Sequence, residues 1–383
     1  MAFQGHASPN QWTCSMKITF RADASLQIGT GHVMRCLTLA DAFVGTGADC
    51  QFICRAHEGH LIDFIRSKGY VTHILPPASA ETCVDAVLDG LTHRDWLGGT
   101  QQQDAAACIP ILLAQRPDWL IADHYGLDAN WENVLAPYCH RLMVIDDLAD
   151  RRHNCNLLLD QTFGRVDTDY LSLVSTSCQL LCGSQYALLR PEFAALRSYS
   201  LQRRAQPVLR KLLITMGGVD KDNATGQTLH ALHNCPLPED CQITVVMGAT
   251  APWLKEVRAK AQGMPWATRV LVGVRDMAQL MADSDLAIGA AGATSWERCC
   301  LGLPTIMLVL ADNQILSCRI LSEVGAGIML KEFEELICQL PIIFKMLVND
   351  LKKLSKMTEV SAQIVDGKGV ERLMGCFESN EFT

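Results

Sequence analysis

The chain has 383 residues, more than one compact core usually holds, so two domains are expected. Hydrophobic residues make up 49% and charged residues 19%, which excludes a disordered or collagen-like chain and predicts a large buried core. The formal net charge of -8 argues against a surface that neutralises nucleic-acid phosphates, so no nucleic-acid partner is expected. A small anionic ligand held in a local pocket is compatible with this charge.

The 17 cysteines include no CxxC pair, which argues against a zinc module, and no metal is expected. Most of them lie in apolar runs, as small buried hydrophobes of a reducing compartment do, so we expect a cytoplasmic protein. No stretch reaches the roughly 18 apolar residues of a membrane span, so no membrane partner is expected. Residues 1–15 lack the pattern of a signal peptide and are predicted to be an N-terminal extension or tag ahead of Met16.

From Met16 onward, short apolar runs alternate with longer amphipathic stretches, which is typical of β-α-β units. A Gly- and Gln-rich segment from Gly90 to Gln103 interrupts this alternation and is predicted to be a surface insertion. At least four parallel strands are expected in the first half. The pattern predicts helices over 32–47 and 60–69 and strands over 16–23, 50–56, 71–76, 117–125 and 141–147.

The polar, charged stretch from Arg190 to Arg210 is predicted to connect two domains, 16–205 and 206–383. The alternation then restarts with the same architecture, and the tail from Lys331 to Thr383 is predicted to be mostly helical. The fold class is therefore α/β, with two Rossmann-like domains built on parallel sheets. Strands are predicted over 211–215, 242–248, 268–273, 286–292 and 304–310, with helices between them.

The motif GTGHVMR, which includes Gly29, Gly31, His32 and Arg35, follows the opening strand where a helix begins. Glycines let the backbone approach a ligand, and the first amides of a helix attract an anion. No third glycine follows at the spacing of a dinucleotide motif. His32 in the first helical turn is favoured in its neutral form, which a general base needs. The alternative is a histidine that only caps the helix or bonds locally.

A second motif, GAAGATSWE, also lies at a strand-to-helix turn and includes Gly292, Thr294, Ser295 and Glu297. Its amides and hydroxyls suit a phosphate group, and the carboxylate of Glu297 suits both hydroxyls of a ribose. The alternative is an ordinary capping box, because T-x-x-E is the signature of that motif.

A third glycine turn, MGGVDKDN, opens the second half and contains Gly217 and Gly218. Three such turns predict a diphosphate-bearing ligand in a cleft between the domains, the alternative being three unrelated tight turns. At predicted strand ends, Asp123, His124 and Tyr125 occupy positions where ligand-facing side chains gather in open α/β sheets. The pair at 146–147 also ends a strand and has the alternative of simple turn or cap residues. Three DxD triplets, at 167–169, 220–222 and 283–285, are discounted as metal sites because of their loop and helix-end positions.

Together these motifs resemble a known family. They are GxGHxxR after the first strand, DHYGLD, DQTFG, YALLRPEF, the GGVD turn, and GATSWERCCLGLP followed by DNQ. The chain resembles the UDP-sugar hydrolases of pseudaminic acid biosynthesis, from Met16 to about Gly327. More distantly it is similar to the GT-B glycosyltransferases, including the one that adds GlcNAc to the peptidoglycan lipid precursor. This resemblance implies two Rossmann-like domains that face each other across a cleft, the second of which binds UDP.

The resemblance implies hydrolysis of UDP-2,4-diacetamido-2,4,6-trideoxy-beta-L-altropyranose at the anomeric carbon, with inversion and without a metal or cofactor. His32 matches the general base of the family. The resemblance places uracil against 273–277, and the implied substrate contacts are Thr294, Ser295 and nearby amides with the diphosphate, Glu297 with the ribose, Asn313 and Gln314 with the sugar or phosphate, Arg35 with phosphate and Tyr125 with the sugar. Two rival functions stay open, a GT-B glycosyltransferase that uses a sugar hydroxyl instead of water, and a noncatalytic UDP-sugar-binding module.

Overall fold

The computed structural model describes residues 15–76, 91–249, 251–330 and 333–378. Within these ranges the chain forms two parallel sheets, one of seven strands and one of six. Apart from Ser15, the predicted N-terminal extension lies outside the described residues.

The first sheet contains β1 (Lys17–Ala22), β2 (Asp49–Arg55), β3 (Val71–Leu75), β4 (Trp119–Asp123), β5 (Arg141–Ile145), β6 (Leu157–Asp160) and β7 (Gln179–Cys182). Its order is β3-β2-β1-β4-β5-β6-β7, and every pairing is parallel. The chain moves outward from β1 to β3 and then returns to the other side of β1. Ligands of open α/β sheets bind at such a reversal, beyond the carboxyl ends of the strands, which here is the gap between β1 and β4.

The second sheet repeats this plan with β8 (Lys211–Thr215), β9 (Gln242–Met247), β10 (Ala267–Val272), β11 (Leu286–Ala290), β12 (Thr305–Leu308) and β13 (Gly327–Leu330). Its order is β10-β9-β8-β11-β12-β13, again with parallel pairings throughout. The reversal lies between β8 and β11. The prediction that both halves share one architecture is confirmed.

Helices cover both faces of the sheets, which explains why β4, β6, β11 and β12 are buried along their whole length. Among the described helices, none is both long enough and apolar enough to cross a bilayer. The helices are α1 (Gly31–Gly45), α2 (Ile62–Ser67), α3 (Gln101–Gln115), α4 (Ala129–Leu135), α5 (Pro191–Arg204), α6 (Ala224–Leu232), α7 (Leu254–Gln262), α8 (Met277–Asp283), α9 (Thr294–Cys300), α10 (Ile315–Glu323), α11 (Phe333–Asn349), α12 (Lys352–Ile364) and α13 (Gly369–Glu378).

Two helices tie the halves together. Most of the predicted connecting stretch is the helix α5, which packs on the second half, where Ser200 donates a hydrogen bond of 2.7 Å to the carbonyl oxygen of Leu301. The last helix, α13, returns to the first half instead. The ring centroid of Phe377 lies 4.9 Å from that of Phe43 and 4.7 Å from that of Trp119. Helix α5, which follows the first sheet, therefore packs on the second half, and α13, which ends the second half, packs on the first.

In the described part of the predicted surface insertion, residues 91–103, most side chains are half-buried or exposed, but the segment also packs into the fold. Leu97, in the short 3-10 helix Arg94–Leu97, is only 1% exposed. Helix α3 begins at Gln101, and Thr100 caps it by accepting a hydrogen bond of 3.2 Å from the backbone N–H of Gln103. The buried side chain of Gln101 accepts a hydrogen bond of 3.0 Å from the backbone N–H of Asp128. The glutamines therefore open a packed helix.

Replacing Phe377 by alanine is expected to lower the free energy of unfolding by about 3 kcal/mol, because a ring buried against two aromatic neighbours is lost. Urea denaturation measures this change. Leu171→Ala, at a residue 66% exposed, is the control and is expected to change stability by less than about 0.5 kcal/mol. Equal losses in the two variants would contradict the anchoring of α13 in the first core.

Candidate functional site

The three glycine turns meet in space. A methyl group built on Gly31 would lie 4.0 Å from Cβ of Ala293, which belongs to the GAAGATS turn of the second half. One built on Gly218 would lie 3.2 Å from Cγ2 and from Oγ1 of Thr30. Turns at the carboxyl ends of both sheets therefore face each other, and they are not three unrelated turns.

Glycine occupies positions of this junction for two different structural reasons. Gly29 has a φ of 80° and Gly217 a φ of 90°, in the left-handed region that residues with a Cβ rarely adopt. Gly248 instead serves close approach, because the carbonyl oxygen of Gly218 occupies the space that a Cβ on Gly248 would need. A Cβ on Gly292 would lie 3.7 Å from Nε2 of Gln314. Glycines from both halves thus line the junction.

His32 lies in the first turn of α1, directly after Gly31, and its side chain is 8% exposed. Its Nδ1 lies 2.6 Å from Oδ1 of Asp123, the last residue of β4. Burial alone would raise the pKa of Asp123, but Arg35 and His32 hold it well below its usual range. The carboxylate is therefore only an acceptor, so Nδ1 donates this hydrogen bond, which selects the tautomer whose Nε2 would carry the lone pair in a neutral imidazole. No described residue donates a hydrogen bond to Nε2.

Arg35, one helical turn after His32, is buried and bonded to carboxylates. Its Nε lies 2.6 Å from Oδ2 of Asp123, and its Nη1 lies 2.6 Å from Oδ2 of Asp147. The hydroxyl of Tyr125 donates a hydrogen bond of 2.6 Å to the same oxygen of Asp147. The guanidinium fork is therefore occupied inside the first half, which differs from the phosphate contact that the resemblance implies for Arg35. Asp147 therefore belongs to this network of hydrogen bonds and differs from the simple turn residue that the sequence left as an alternative.

Aromatic rings lie around His32, and the sequence singled out Tyr125 among them but neither Trp96 nor His93. The ring centroid of Tyr125 lies 4.5 Å from that of His32, and the centroid of Trp96 lies 6.2 Å from it. Trp96 is stacked on Tyr125 with a centroid distance of 5.7 Å, and His93 packs on Trp96 at 4.4 Å. We call Trp96, His93 and Tyr125 the aromatic wall. The aromatic wall therefore lies beside the imidazole of His32.

Two other strand-end residues have structural partners. His124 is buried, its Nδ1 accepts a hydrogen bond of 3.0 Å from the backbone N–H of Gly126, and burial lowers its pKa to about 3. Asp146 accepts hydrogen bonds of 2.9 Å from the backbone N–H of Ala149 and 2.8 Å from the hydroxyl of Tyr170. Of the two neighbours Asp146 and Asp147, Asp146 therefore has the role of a turn residue. Among the described residues, no group of three His, Cys, Asp or Glu side chains has the geometry of a metal site.

The GAAGATSWE turn contains no capping box. Helix α9 begins at Thr294 after the N-cap Ala293, and no side chain caps it, so that alternative is wrong. Ser295 is 2% exposed, and its hydroxyl accepts a hydrogen bond of 3.0 Å from Nη2 of Arg298, which leaves its own O–H as a donor. The side chain of Glu297 takes part in no cap of α9. Its Oε1 lies 3.9 Å from Nη2 of Arg190. Burial raises the pKa of Glu297 to about 7.

The remaining predicted contacts lie on loops after β10 and β12, at the same edge as the glycine turns. Residues 273–276 join β10 to α8, which begins at Met277, and Gly273 has a φ of 64°. Asn313 and Gln314 belong to a 3-10 helix, Asp312–Gln314, that leads into α10. Oε1 of Gln314 accepts a hydrogen bond of 3.0 Å from the backbone N–H of Leu310, so its amide NH₂ stays on the side of Gly292.

A family model described as the glycosyltransferase family 28 C-terminal domain matches residues 220–371. The UDP-2,4-diacetamido-2,4,6-trideoxy-beta-L-altropyranose hydrolase of Campylobacter jejuni is 27% identical over 278 residues, which are 73% of this chain and 86% of that protein. The resemblance noted from the motifs is confirmed.

Solved structures extend this likeness over nearly the whole chain. MurG of Acinetobacter baumannii superposes with a TM-score of 0.65 at 14% identity, covering 95% of this chain and 99% of that one. The fold is GT-B. A UDP-GlcNAc 2-epimerase from Neisseria meningitidis, solved with UDP-GlcNAc, superposes with a TM-score of 0.62 at 10% identity. The superposition covers 96% of this chain and 100% of that one. The predicted GT-B fold class is thereby confirmed.

The raised pKa of Glu297 has a consequence for the stability of this GT-B chain. Between about pH 4.5 and pH 7 the folded chain holds a proton that the unfolded chain releases, so the free energy of unfolding falls as the pH rises. Glu297→Gln removes this cost, which is of the order of 3 kcal/mol above pH 7. The variant is therefore expected to gain stability over the wild type at pH 8 and much less at pH 5.

Urea denaturation at pH 5 and pH 8 measures this difference. Glu323→Gln, at a carboxylate 66% exposed on α10, is the control for the loss of one negative charge. A gain of equal size at both pH values would contradict the assignment of the raised pKa to Glu297.

Proposed function

We propose that the chain hydrolyses UDP-2,4-diacetamido-2,4,6-trideoxy-beta-L-altropyranose and releases UDP and the free sugar with inversion at the anomeric carbon. The observation that carries this proposal is the bond from Nδ1 of His32 to Asp123, beside glycine turns from both halves. The name of the Campylobacter jejuni relative supports the substrate. The coarser conclusion, an enzyme that processes a nucleotide sugar, is supported also by the family 28 match.

In the proposed reaction His32 is the general base. Asp123 fixes the imidazole in the tautomer whose Nε2 accepts a proton, and stabilises the imidazolium that forms. The oxygen of a water molecule attacks the anomeric carbon while Nε2 takes its proton. The bond between that carbon and the β-phosphate oxygen breaks, and UDP leaves with the electron pair. Because UDP is a good leaving group, one base and stabilisation of the diphosphate suffice.

The same geometry supports inversion as part of the proposal. A retaining enzyme needs a second carboxylate as nucleophile close to the anomeric carbon. Asp123 does not serve this purpose in our proposal, because Arg35 bonds both of its oxygens and His32 bonds one of them. A single displacement by water therefore inverts the configuration.

We assign the nucleotide to the second half. Backbone N–H groups of the turns that contain Gly31, Gly218 and Gly292 would hold the diphosphate, and Glu297 would accept hydrogen bonds from the ribose. Thr294, Asn313 and Gln314 would contact phosphate or sugar, and residues 273–277 would contact uracil. The occupied guanidinium of Arg35 supports a different role for this residue, that of positioning Asp123 beneath His32.

The aromatic wall suits the sugar. A trideoxy sugar with two acetamido groups presents more methyl and C–H surface than a fully hydroxylated hexose. Aromatic faces bind such surface well and leave no buried polar group without a partner. Trp96 and His93 are half-buried beside His32, so we propose that they contact the sugar ring and its acetyl groups.

Incubation of the purified chain with the UDP-sugar and no acceptor separates the proposal from its rivals. A hydrolase releases UDP under these conditions, whereas a glycosyltransferase requires an acceptor hydroxyl. A noncatalytic binding module releases none.

The substitution His32→Asn is expected to lower kcat at least a hundredfold, because no other group in the proposed scheme accepts the proton of water. UDP affinity, measured by calorimetry, is expected to stay within about threefold of the wild type. His230→Asn, on the exposed side of α6, is the control for the loss of one histidine. Wild-type turnover by the His32 variant would remove the base from the proposal.

The substitution Trp96→Ala is expected to lower kcat/KM for the UDP-sugar roughly tenfold, because the aromatic contact with the sugar is lost. UDP carries no sugar, so its affinity is expected to stay nearly constant. Tyr199→Ala, at an exposed aromatic residue of α5, is the matched control. A parallel fall in UDP affinity would contradict a contact that is confined to the sugar.

A further inference from the structure

Arg298 is a buried cation behind the GAAGATS turn. It is 2% exposed, and its Nη2 donates hydrogen bonds of 2.5 Å to the carbonyl oxygen of Ala290 and 3.0 Å to the hydroxyl of Ser295. Ala290 ends β11, and Ser295 lies at the start of α9. One guanidinium nitrogen therefore joins the two ends of the turn that contains Gly292.

The same guanidinium reaches toward the second glycine turn of this half. A methyl group built on Gly289 would collide with Nη1 of Arg298 and would lie 2.6 Å from the carbonyl oxygen of Thr215. Thr215 is the last residue of β8, and the turn with Gly217 and Gly218 follows it directly. Because Gly289 has no side chain, the guanidinium of Arg298 fits between the ends of β8 and β11.

The charge of Arg298 is not neutralised by a neighbour. No carboxylate of a described residue lies within 4.0 Å of its guanidinium, and Nε and Nη1 have no hydrogen-bond partner there. Buried arginines of the first half differ, because Arg21 pairs with Asp23 and Asp104 at 2.7 Å each. Burial lowers the pKa of Arg298 to about 10, so it is a cation at neutral pH. Such an arrangement costs stability unless an anion approaches.

We propose that Arg298 is a positioning residue for the diphosphate, which it attracts through an unneutralised buried charge beneath two glycine turns while it holds one of them in shape. This inference rests on the proposed function, which assigns the diphosphate to these turns. A charge that is shielded from water acts over a longer distance than one on the surface. Arg298 therefore needs no direct contact with the ligand.

The test compares two ligands that differ only in the diphosphate. UDP and uridine are titrated into the wild type and into Arg298→Met by calorimetry. The affinity for UDP is expected to fall roughly tenfold or more, and the affinity for uridine to change less than about twofold. A residue that only maintained the fold of the second half would lower both affinities together.

Arg204→Met is the matched control. Arg204 is also buried in the second half and also donates to carbonyl oxygens, at 2.5 Å to Ser284 and 3.1 Å to Leu301. It lies at the other end of the sheet, where the chain enters β8 and β11, so its loss is expected to leave the ratio of UDP to uridine affinity unchanged. The melting temperatures of both variants measure any general loss of structure.

Arg298→Lys keeps the charge at the same depth and gives a second measure if the methionine variant folds poorly. It is expected to bind UDP within about threefold of the wild type. Equal UDP affinity in the wild type and Arg298→Met, or an equal loss in Arg298→Lys and Arg298→Met, would overturn the charge-based inference while leaving the proposed function intact. A wild type that binds no UDP would overturn both.

Discussion

The carboxylate of Asp123 is the point on which the geometry of the first half depends. It ends β4 at the reversal of the sheet, where it accepts hydrogen bonds from His32 and Arg35, two residues on one face of α1. Their spacing of three residues puts both side chains on the same side of the helix. A buried carboxylate is costly unless it is fully bonded, and here a guanidinium and an imidazole meet that requirement. The orientation of the proposed base is thus fixed by the same contacts that make burial of the acid tolerable.

The general plan of the fold could be predicted because most strands are apolar runs that end in glycine or aspartate. Apolar runs mark five strands of the first sheet and all but the last of the second, and glycine or aspartate directly follows or ends β1, β4, β5, β9 and β10. Strands β6 and β7 are only four residues long and lie among polar turns, so no alternation marks them. Helix α3 begins with three glutamines and contains Pro110, which conceals its amphipathic pattern. Its burial is set by contacts with α4 that a single sequence does not display.

The candidate site was predictable where backbone conformation dictates residue type. Glycine turns followed by a histidine or by Thr-Ser carry such a signal, and these turns meet in the structure. The role of Arg35 was not predictable, because its partners Asp123 and Asp147 lie 88 and 112 residues away. An arginine beside a glycine turn suggests a phosphate contact, and only tertiary structure reveals carboxylates that occupy it. Trp96 gave no signal because it stands alone in a segment whose composition suggested a loop.

The two halves treat buried charge differently, and this difference suits the proposed reaction. In the first half the arginines near the site are neutralised by aspartates, so in our proposal no unpaired buried cation beside His32 competes for the diphosphate. In the second half Arg298 has no carboxylate partner, which makes the ends of β8 and β11 the favourable place for an anion. A diphosphate drawn to that side would leave the anomeric carbon facing His32 across the junction. Moving the unneutralised charge to the first half would bring the leaving group onto the base, so under the proposed function this asymmetry would set the orientation of the substrate in the cleft.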